Sequence, residues 1–360
     1  MAREDSDYTA FAFEGRWQDY APIAFTNLLL TIVTLGIYRF WGKARTRRYL
    51  WAHTRFIDDR LEWTGTGLEL FKGALMALLV IVLPLLGLNL LVQALVLRGQ
   101  ALLGGLLGLV QITLVLLLVG VALFRSLRYR LSRTYWRGIR GGSDDPGLAY
   151  GWSYLWKNAV GYAALGLLLP WAMVSLWNER WNGMSFGQHR FTAEGRVAGL
   201  MRRYLLCYLA PFIGLIGAVI IAAAGFAGGA AAGGGPVAAG ATAGVAVLGV
   251  FTVYLVLGLV VMAYYAKFFR QMVDAMALGP LTFRFDATTK DWLKLLLGDI
   301  GLVIVTLGIG AIFLDYRHWR FFIDHLEGFG EIDLDDLSQS TTAELRQGEG
   351  LLDAFDMGAL

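Results

Sequence analysis

Residues 74–97 (ALMALLVIVLPLLGLNLLVQALVL) and 241–266 (ATAGVAVLGVFTVYLVLGLVVMAYYA) contain no charged side chain. About 20 apolar helical residues cross a bilayer core, and uninterrupted runs longer than that have no place in a soluble core. Each run has a second apolar segment beside it, at 101–124 and 204–225. The chain is therefore expected to be an α-helical integral membrane protein with two transmembrane helical hairpins. Composition agrees, with 57% of the 360 residues hydrophobic, 16% charged and a mean hydropathy of +0.55. The chain opens MAREDSD and stays mixed until about Ala21, so no cleaved secretory leader is expected. The one cysteine, Cys207, excludes an intramolecular disulfide and is expected as a buried, inert thiol within YLLCYLAPFIGLIGAVIIAAA.

A shorter motif recurs around these hairpins. It stands as TNLLLTIVTLGIYRFWGKARTRRY at 26–49, as ALGLLLPW at 164–171 and as VIVTLGIGAIF at 303–313. Aligned on Gly36, Gly166 and Gly308, the copies place Tyr20, Tyr150 and Trp292 in one column, and Trp41, Trp171 and Phe313 in another. FAFEG at 11–15 falls on FRFDA at 283–287, and Phe56, Arg60 and Gly65 fall on Phe186, Arg190 and Gly195. Internal duplication explains these columns. Each unit is expected to form a short strand, an apolar helix broken or re-entrant at its glycine, a basic or aromatic extension, and a short β-hairpin. Alternation in HTRFIDDRLEWTGTG and MSFGQHRFTAEG supports the hairpins. The chain then divides into repeat unit 1 (1–70), transmembrane hairpin 1 (71–125), repeat unit 2 (126–200), transmembrane hairpin 2 (201–268), repeat unit 3 (269–337) and an acidic C-terminal tail (338–360).

Charge placement decides between two topologies. If every unit crossed once, seven spans would put Arg180, Arg190, Arg196, Arg202 and Arg203 opposite Arg39, Lys43, Arg45, Arg47 and Arg48, and GFAGGAAAGGGPVAAG (225–240) on the basic side. Cytoplasmic loops carry the Lys and Arg excess, so that arrangement fits badly. Four spans with three units entering and leaving on one face gather every basic segment on one side. Against this, the two aromatic columns are 21 residues apart, which in a continuous helix is about 31 Å, a full span. The charge argument is preferred, with the basic loops and the C-terminus cytoplasmic. The basic set Lys43, Arg45, Arg47, Arg48, Arg125, Arg128, Arg130 and Arg133 is expected to anchor helix ends at anionic headgroups. Residues 327–360 carry −8, leaving +11 on the rest, so a basic body adjoins an acidic end.

Asn27, Lys157 and Asp299 share one register, nine residues before each anchor glycine, in apolar surroundings. Ionisable groups at membrane depth face protein or water, so these three are candidates for an intramembrane polar cluster in which Lys157 pairs with Asp299 and Asn27 adds a hydrogen bond. The competing reading makes Lys157 a snorkelling side chain and the other two helix caps. The four histidines, His53, His189, His318 and His325, form no HExxH pair. No phosphate-cradling loop and no Ser/His/Asp spacing stands out, so no enzyme, cofactor or metal site is expected, and the basic segments abut apolar runs rather than forming a nucleic-acid surface.

The run from FAFEG through NLLLTIVTLGIYRFWGKARTRRYLWAHTRF, together with RTYWRGIR (133–140), ALGLLLPWA and the ending GEGLLDAFDMGAL (348–360), resembles the YjgN-like bacterial inner-membrane proteins, a family named as a domain of unknown function. The resemblance covers essentially the whole chain. It implies a multi-pass inner-membrane protein with no catalytic residues to carry over, and a membrane metallopeptidase as a partner. Two functions follow. One is translocation or handling of a small polar solute, ion or lipid headgroup between the repeats. The other is a non-catalytic membrane scaffold, or accessory subunit for that peptidase, in which Leu351, Leu352, Phe355 and Leu360 of the tail form a docking helix or stay disordered.

Overall fold

The structure is a computed structural model that describes residues 10–231, 235–330, 338–340 and 342. Two compact units emerge: Met1–Gly195 with Met272–Asp286 and Gly298–Leu360, and Arg196–Gln271 with Ala287–Leu297.

The first unit is organised by a ten-stranded antiparallel meander in chain order: β1 (Phe11–Phe13), β2 (Thr54–Phe56), β3 (Asp59–Trp63), β4 (Thr134–Trp136), β5 (Ile139–Gly142), β6 (Ser185–Phe186), β7 (His189–Ala193), β8 (Met276–Leu278), β9 (Leu281–Phe285) and β10 (Leu326–Phe329). Two-residue turns join β2 to β3, β4 to β5, β6 to β7 and β8 to β9. Each begins with a positive φ, at Ile57 (57°), Arg137 (52°), Gly187 (57°) and Gly279 (55°), the backbone that matches strand twist in a tight hairpin. The other links of the meander are helical, so the tight turns share one edge of the sheet and the roots of the helices share the other. The first and last strands also approach each other: a Cβ on Gly328 of β10 would lie 3.1 Å from the Ala10 side chain, and Phe11 meets Phe283 of β9 with ring centroids 6.3 Å apart. Trp136 is buried, donates its Nε1–H to the Phe56 carbonyl at 3.0 Å and meets the Phe56 ring edge-on.

Between β1 and β2 lie α1 (Trp17–Val33) and α2 (Arg39–Ala52), and between β5 and β6 lie α6 (Leu148–Ala163) and α7 (Leu169–Asn182). β9 is followed by α10 (Thr289–Val305), a 3-10 turn (Ile309–Phe313) and α11 (Leu314–Asp324). All three helix pairs reverse direction at a Leu-Gly step. Leu35, Leu165 and Leu307 have φ of 50°, 56° and 51°, and Gly36, Gly166 and Gly308 have 91°, 86° and 92°. The glycine N–H reaches back five residues, to Thr31, Gly161 and Val303, while the leucine N–H reaches back three, to Ile32, Tyr162 and Ile304. This is the Schellman closure of a helix C-terminus, with leucine in the left-handed position that glycine usually takes. Nothing within 4 Å would meet a Cβ on Gly36 or Gly308, so backbone conformation, not space, selects glycine there. The reversal also removes the 31 Å argument. The aromatic columns sit on opposite sides of the break, so their separation is not that of one continuous helix.

Between β3 and β4 stand α3 (Gly67–Ala77), a π-helical turn (Leu78–Val82), α4 (Leu83–Leu97) and α5 (Ala101–Arg133). Pro84 has no N–H to give the fourth carbonyl back, and the helix widens into the π turn just ahead of it. The core packs Tyr20, Tyr49, Trp51, Trp63, Leu70 and Tyr129 with Tyr316 of α11, and Trp51 stacks on Trp319 at 4.1 Å. The root of the C-terminal tail lies on the tight-turn edge. Gln339 bridges the Gly138 carbonyl (2.8 Å) and the Arg140 N–H (3.2 Å), and Arg140 donates to the Thr342 carbonyl at 2.5 Å. The acidic tail expected at 338–360, including Leu351, Leu352, Phe355 and Leu360, otherwise falls outside the described residues.

The second unit is built on α8 (Met201–Ala231) and α9 (Pro236–Asp274). Arg203 donates to the Ala263 carbonyl at 2.8 Å, and the half-buried Cys207 thiol to the Val260 carbonyl at 3.4 Å. The stretch 225–240, expected as a connecting loop, is instead helical up to Ala231 and again from Pro236, because apolar alanines keep an α-helix favourable despite the glycines. Among the described residues, four helices are long and apolar enough to cross a membrane: Gly67–Leu97, Ala101–Arg133, Met201–Gly225 and Val247–Asp274.

Candidate functional site

A cavity of about 470 Å³ opens in the first unit, lined by α1, α2 and the start of α11. Tyr20, Ala24, Asn27, Leu28 and Thr31 form one stripe along α1, as the helical period requires. Arg39, Lys43 and Thr46 face it from α2, and Ile312 and Asp315 come from the third helix pair. The Tyr20 hydroxyl lies 3.3 Å from Thr46 Oγ1, and its ring stacks on Tyr316 at 5.5 Å, which fixes the cavity floor. Asn27 donates from Nδ2 to the Gly42 carbonyl (3.1 Å) and toward Thr46 Oγ1 (3.4 Å), while its buried Oδ1 has no hydrogen-bond donor. The Arg39 guanidinium stacks over Phe40 at 5.2 Å. Volume and lining suit a small polar ligand: apolar walls, a few directed polar groups and two cations against one carboxylate.

Of the three residues expected to form an intramembrane polar cluster, only Asn27 lines this cavity. Lys157 lies between α6 and α7 and pairs with Glu179 at 2.5 Å. Asp299 accepts from Arg317 Nε at 2.6 Å and lies 2.7 Å from His318 Nε2. The expected Lys157–Asp299 pair is therefore replaced by separate pairings, each made across its own helix pair. The chain reverses within a few residues of these side chains, so a local partner arrives before a distant one. Gly36, Gly166 and Gly308 each occupy the reversal itself.

The basic residues divide in two. Arg45 and Arg48 are exposed, and Arg45 contacts the Tyr38 hydroxyl at 3.3 Å. Arg47 is buried over the Trp63 ring at 4.9 Å. Arg125 and Arg128 hold the carbonyls of Pro146 and Asp145, Arg130 reaches the Ser126 carbonyl at 3.4 Å, and Arg133 pairs with Glu69 at 3.1 Å. Arg47, Arg125, Arg128 and Arg133 thus bind protein groups, where headgroup anchoring was expected. The sequence reading named Arg39 only as one of the basic-face residues and missed Thr46 and Asp315. Lys43 and Asp315 both stand seven residues after their anchor glycine, so a charge column in the alignment would have marked them. Among the described residues no group of His, Cys, Asp and Glu could hold a metal ion.

The family described as "Bacterial protein of unknown function (DUF898)" matches residues 8–354. The chain belongs to this family. DUF898 is thus the frame for the relatives, which are named "Inner membrane protein YjgN". The Escherichia coli O157:H7 protein is 27% identical over 247 residues, and the Salmonella typhimurium LT2 protein is 24% identical over 258. The Escherichia coli K12 protein is 27% identical over 247 residues. The matches cover 59–61% of this chain and the same share of each relative, so the chain spans about three fifths of their length. No solved structure matches this DUF898 chain.

Proposed function

We propose that this DUF898 protein sits in the bacterial inner membrane, where it translocates or handles a small polar solute, ion or lipid headgroup in the cavity between α1, α2 and α11. Four helices span the bilayer. The three helix pairs are copies of one re-entrant element, entering and leaving on the cytoplasmic face with the basic loops. Supporting this, their reversals share one backbone geometry, and the tips project bare leucines: Leu35, Leu165 and Leu307 are 93%, 77% and 93% exposed. An apolar tip in water is costly, whereas hydrocarbon accepts it. The observation that carries the reading is the cavity itself, which runs along such a hairpin from Thr31 and Arg39 beside its reversal to Tyr20 and Thr46.

The test is a thermal-stability screen of the purified full chain against phosphate, sulfate, glutamate and sn-glycerol 3-phosphate, beside the cavity-filling variant Thr31→Phe. A ligand at about 100 times its Kd stabilises by about 2.7 kcal/mol, which raises Tm by several degrees. At least one compound is expected to raise the wild-type Tm and leave Thr31→Phe unmoved. Equal shifts in both proteins, or none in either, would remove the cavity from the account.

A further inference from the structure

We propose that the cavity takes a phosphate ester, and that the ester is the headgroup of an anionic phospholipid. This rests on the cavity being a binding site and goes further in naming the ligand. Arg39 and Lys43 stand one helical turn apart on α2, both lining the chamber, with Asp315 the one carboxylate among the liners. Whatever the carboxylate pairs with, the lining keeps one net positive charge, which selects a monoanion such as a phosphodiester. A guanidinium beside an ammonium, with the Thr31 hydroxyl in the same lining, gives the directed donors that phosphate oxygens require.

The source follows from α1. Tyr20, Ala24, Asn27 and Thr31 face the chamber, while Phe25, Leu29 and Ile32 on the same helix are exposed apolar side chains. One helix thus carries a polar pocket wall and, around its side, a bare apolar stripe. A free phosphate ester uses only the first surface. A phospholipid uses both, its headgroup in the chamber and its acyl chains along the stripe, and basic pockets beside membrane helices hold anionic headgroups in this way. The exposed Arg45 lies on α2 with Arg39 and Lys43 but outside the lining, so it provides an internal control for charge that merely sits near a membrane surface.

The experiment equilibrates the full chain in detergent micelles with an equimolar mixture of dioleoyl-phosphatidylglycerol and dioleoyl-phosphatidylcholine, and reads retained lipid by native mass spectrometry. Wild type is expected to retain the anionic lipid by about tenfold over the zwitterionic one. Arg39→Gln with Lys43→Gln is expected to abolish that preference, while Arg45→Gln and the charge-keeping Lys43→Arg preserve it. Lipid-free Tm identifies any variant that has failed to fold, and in that case Lys43→Gln alone carries the comparison. Equal loss in Arg45→Gln and in the cavity variants would overturn the site in favour of diffuse surface charge. Binding of sn-glycerol 3-phosphate as tight as that of the lipid, displacing it, would overturn the lipid as source. If neither ester binds while another solute still shifts Tm in wild type and not in Thr31→Phe, the phosphate assignment fails and the cavity reading stands.

Discussion

At the scale of single residues, Lys157 shows how a register position acquires its meaning from the fold. Its ammonium is nearly buried and meets Glu179, whose side chain is about one-third exposed. Removing one partner strands the other, and a buried pair broken this way costs about 3–5 kcal/mol, less here because water reaches the carboxylate. The exchange Lys157→Glu with Glu179→Lys is expected to recover the expression and Tm lost by either single change, while Lys157→Asp with Asp299→Lys recovers nothing. Rescue by the second exchange alone would show that the two pairings had been assigned the wrong way round. The polar register of Asn27, Lys157 and Asp299 was legible because all three stand in apolar runs at one distance from a glycine. Their partners were not, since Gly42, Glu179 and Arg317 become neighbours only after the chain reverses. Arg39 and Asp315 come to line one chamber for a different reason, the packing of the third helix pair against the first, which no local pattern announces.

At the scale of elements, the four helices long and apolar enough to cross a membrane were legible from length and hydropathy, and the glycine breaks from repetition. The sheet was not. Alternation marked the hairpins β2–β3 and β6–β7, but the pairing of one hairpin with the next leaves no local signal, and β3 finds β4 only across the whole α3–α5 hairpin. Helix starts are specified more locally. In α10, Asp291 accepts from the Thr288 hydroxyl at 2.6 Å and from its backbone N–H at 3.0 Å, a capping box, and these two bonds hold its carboxyl at about 2, below the usual 3.8. A carboxyl depressed in the folded state stabilises above its unfolded value, and the contribution is lost as pH falls from about 4 through about 2. The Tm gap between wild type and Asp291→Asn is therefore expected to be full at neutral pH and to close across that window. A gap independent of pH would assign the cap to the amide-compatible geometry alone.

At the scale of the whole molecule, the sequence conveyed membrane class, basic asymmetry and the recurrence of one motif, while the closing of strands into one meander needed contacts between residues far apart in the chain. The topology proposed above makes a direct prediction. In a Cys207→Ser background, Gln100→Cys in the turn between α4 and α5 is expected to react with an impermeant thiol reagent on intact cells, and Arg190→Cys in β7 only after the membrane is opened. Labelling of Arg190→Cys on intact cells would reverse the sidedness or restore seven spans. The meander has a further consequence for how such a chain varies. Each helical excursion leaves from one strand and returns to the next, so its two roots are held about 5 Å apart by the ladder whatever happens at the far end. Residues gained or lost at a tip, as in the Gly/Ala-rich 225–240 stretch, leave the pairing of β7 with β8 in register. Excursions of different lengths can therefore diverge independently on a shared footing, each answering to its own surroundings.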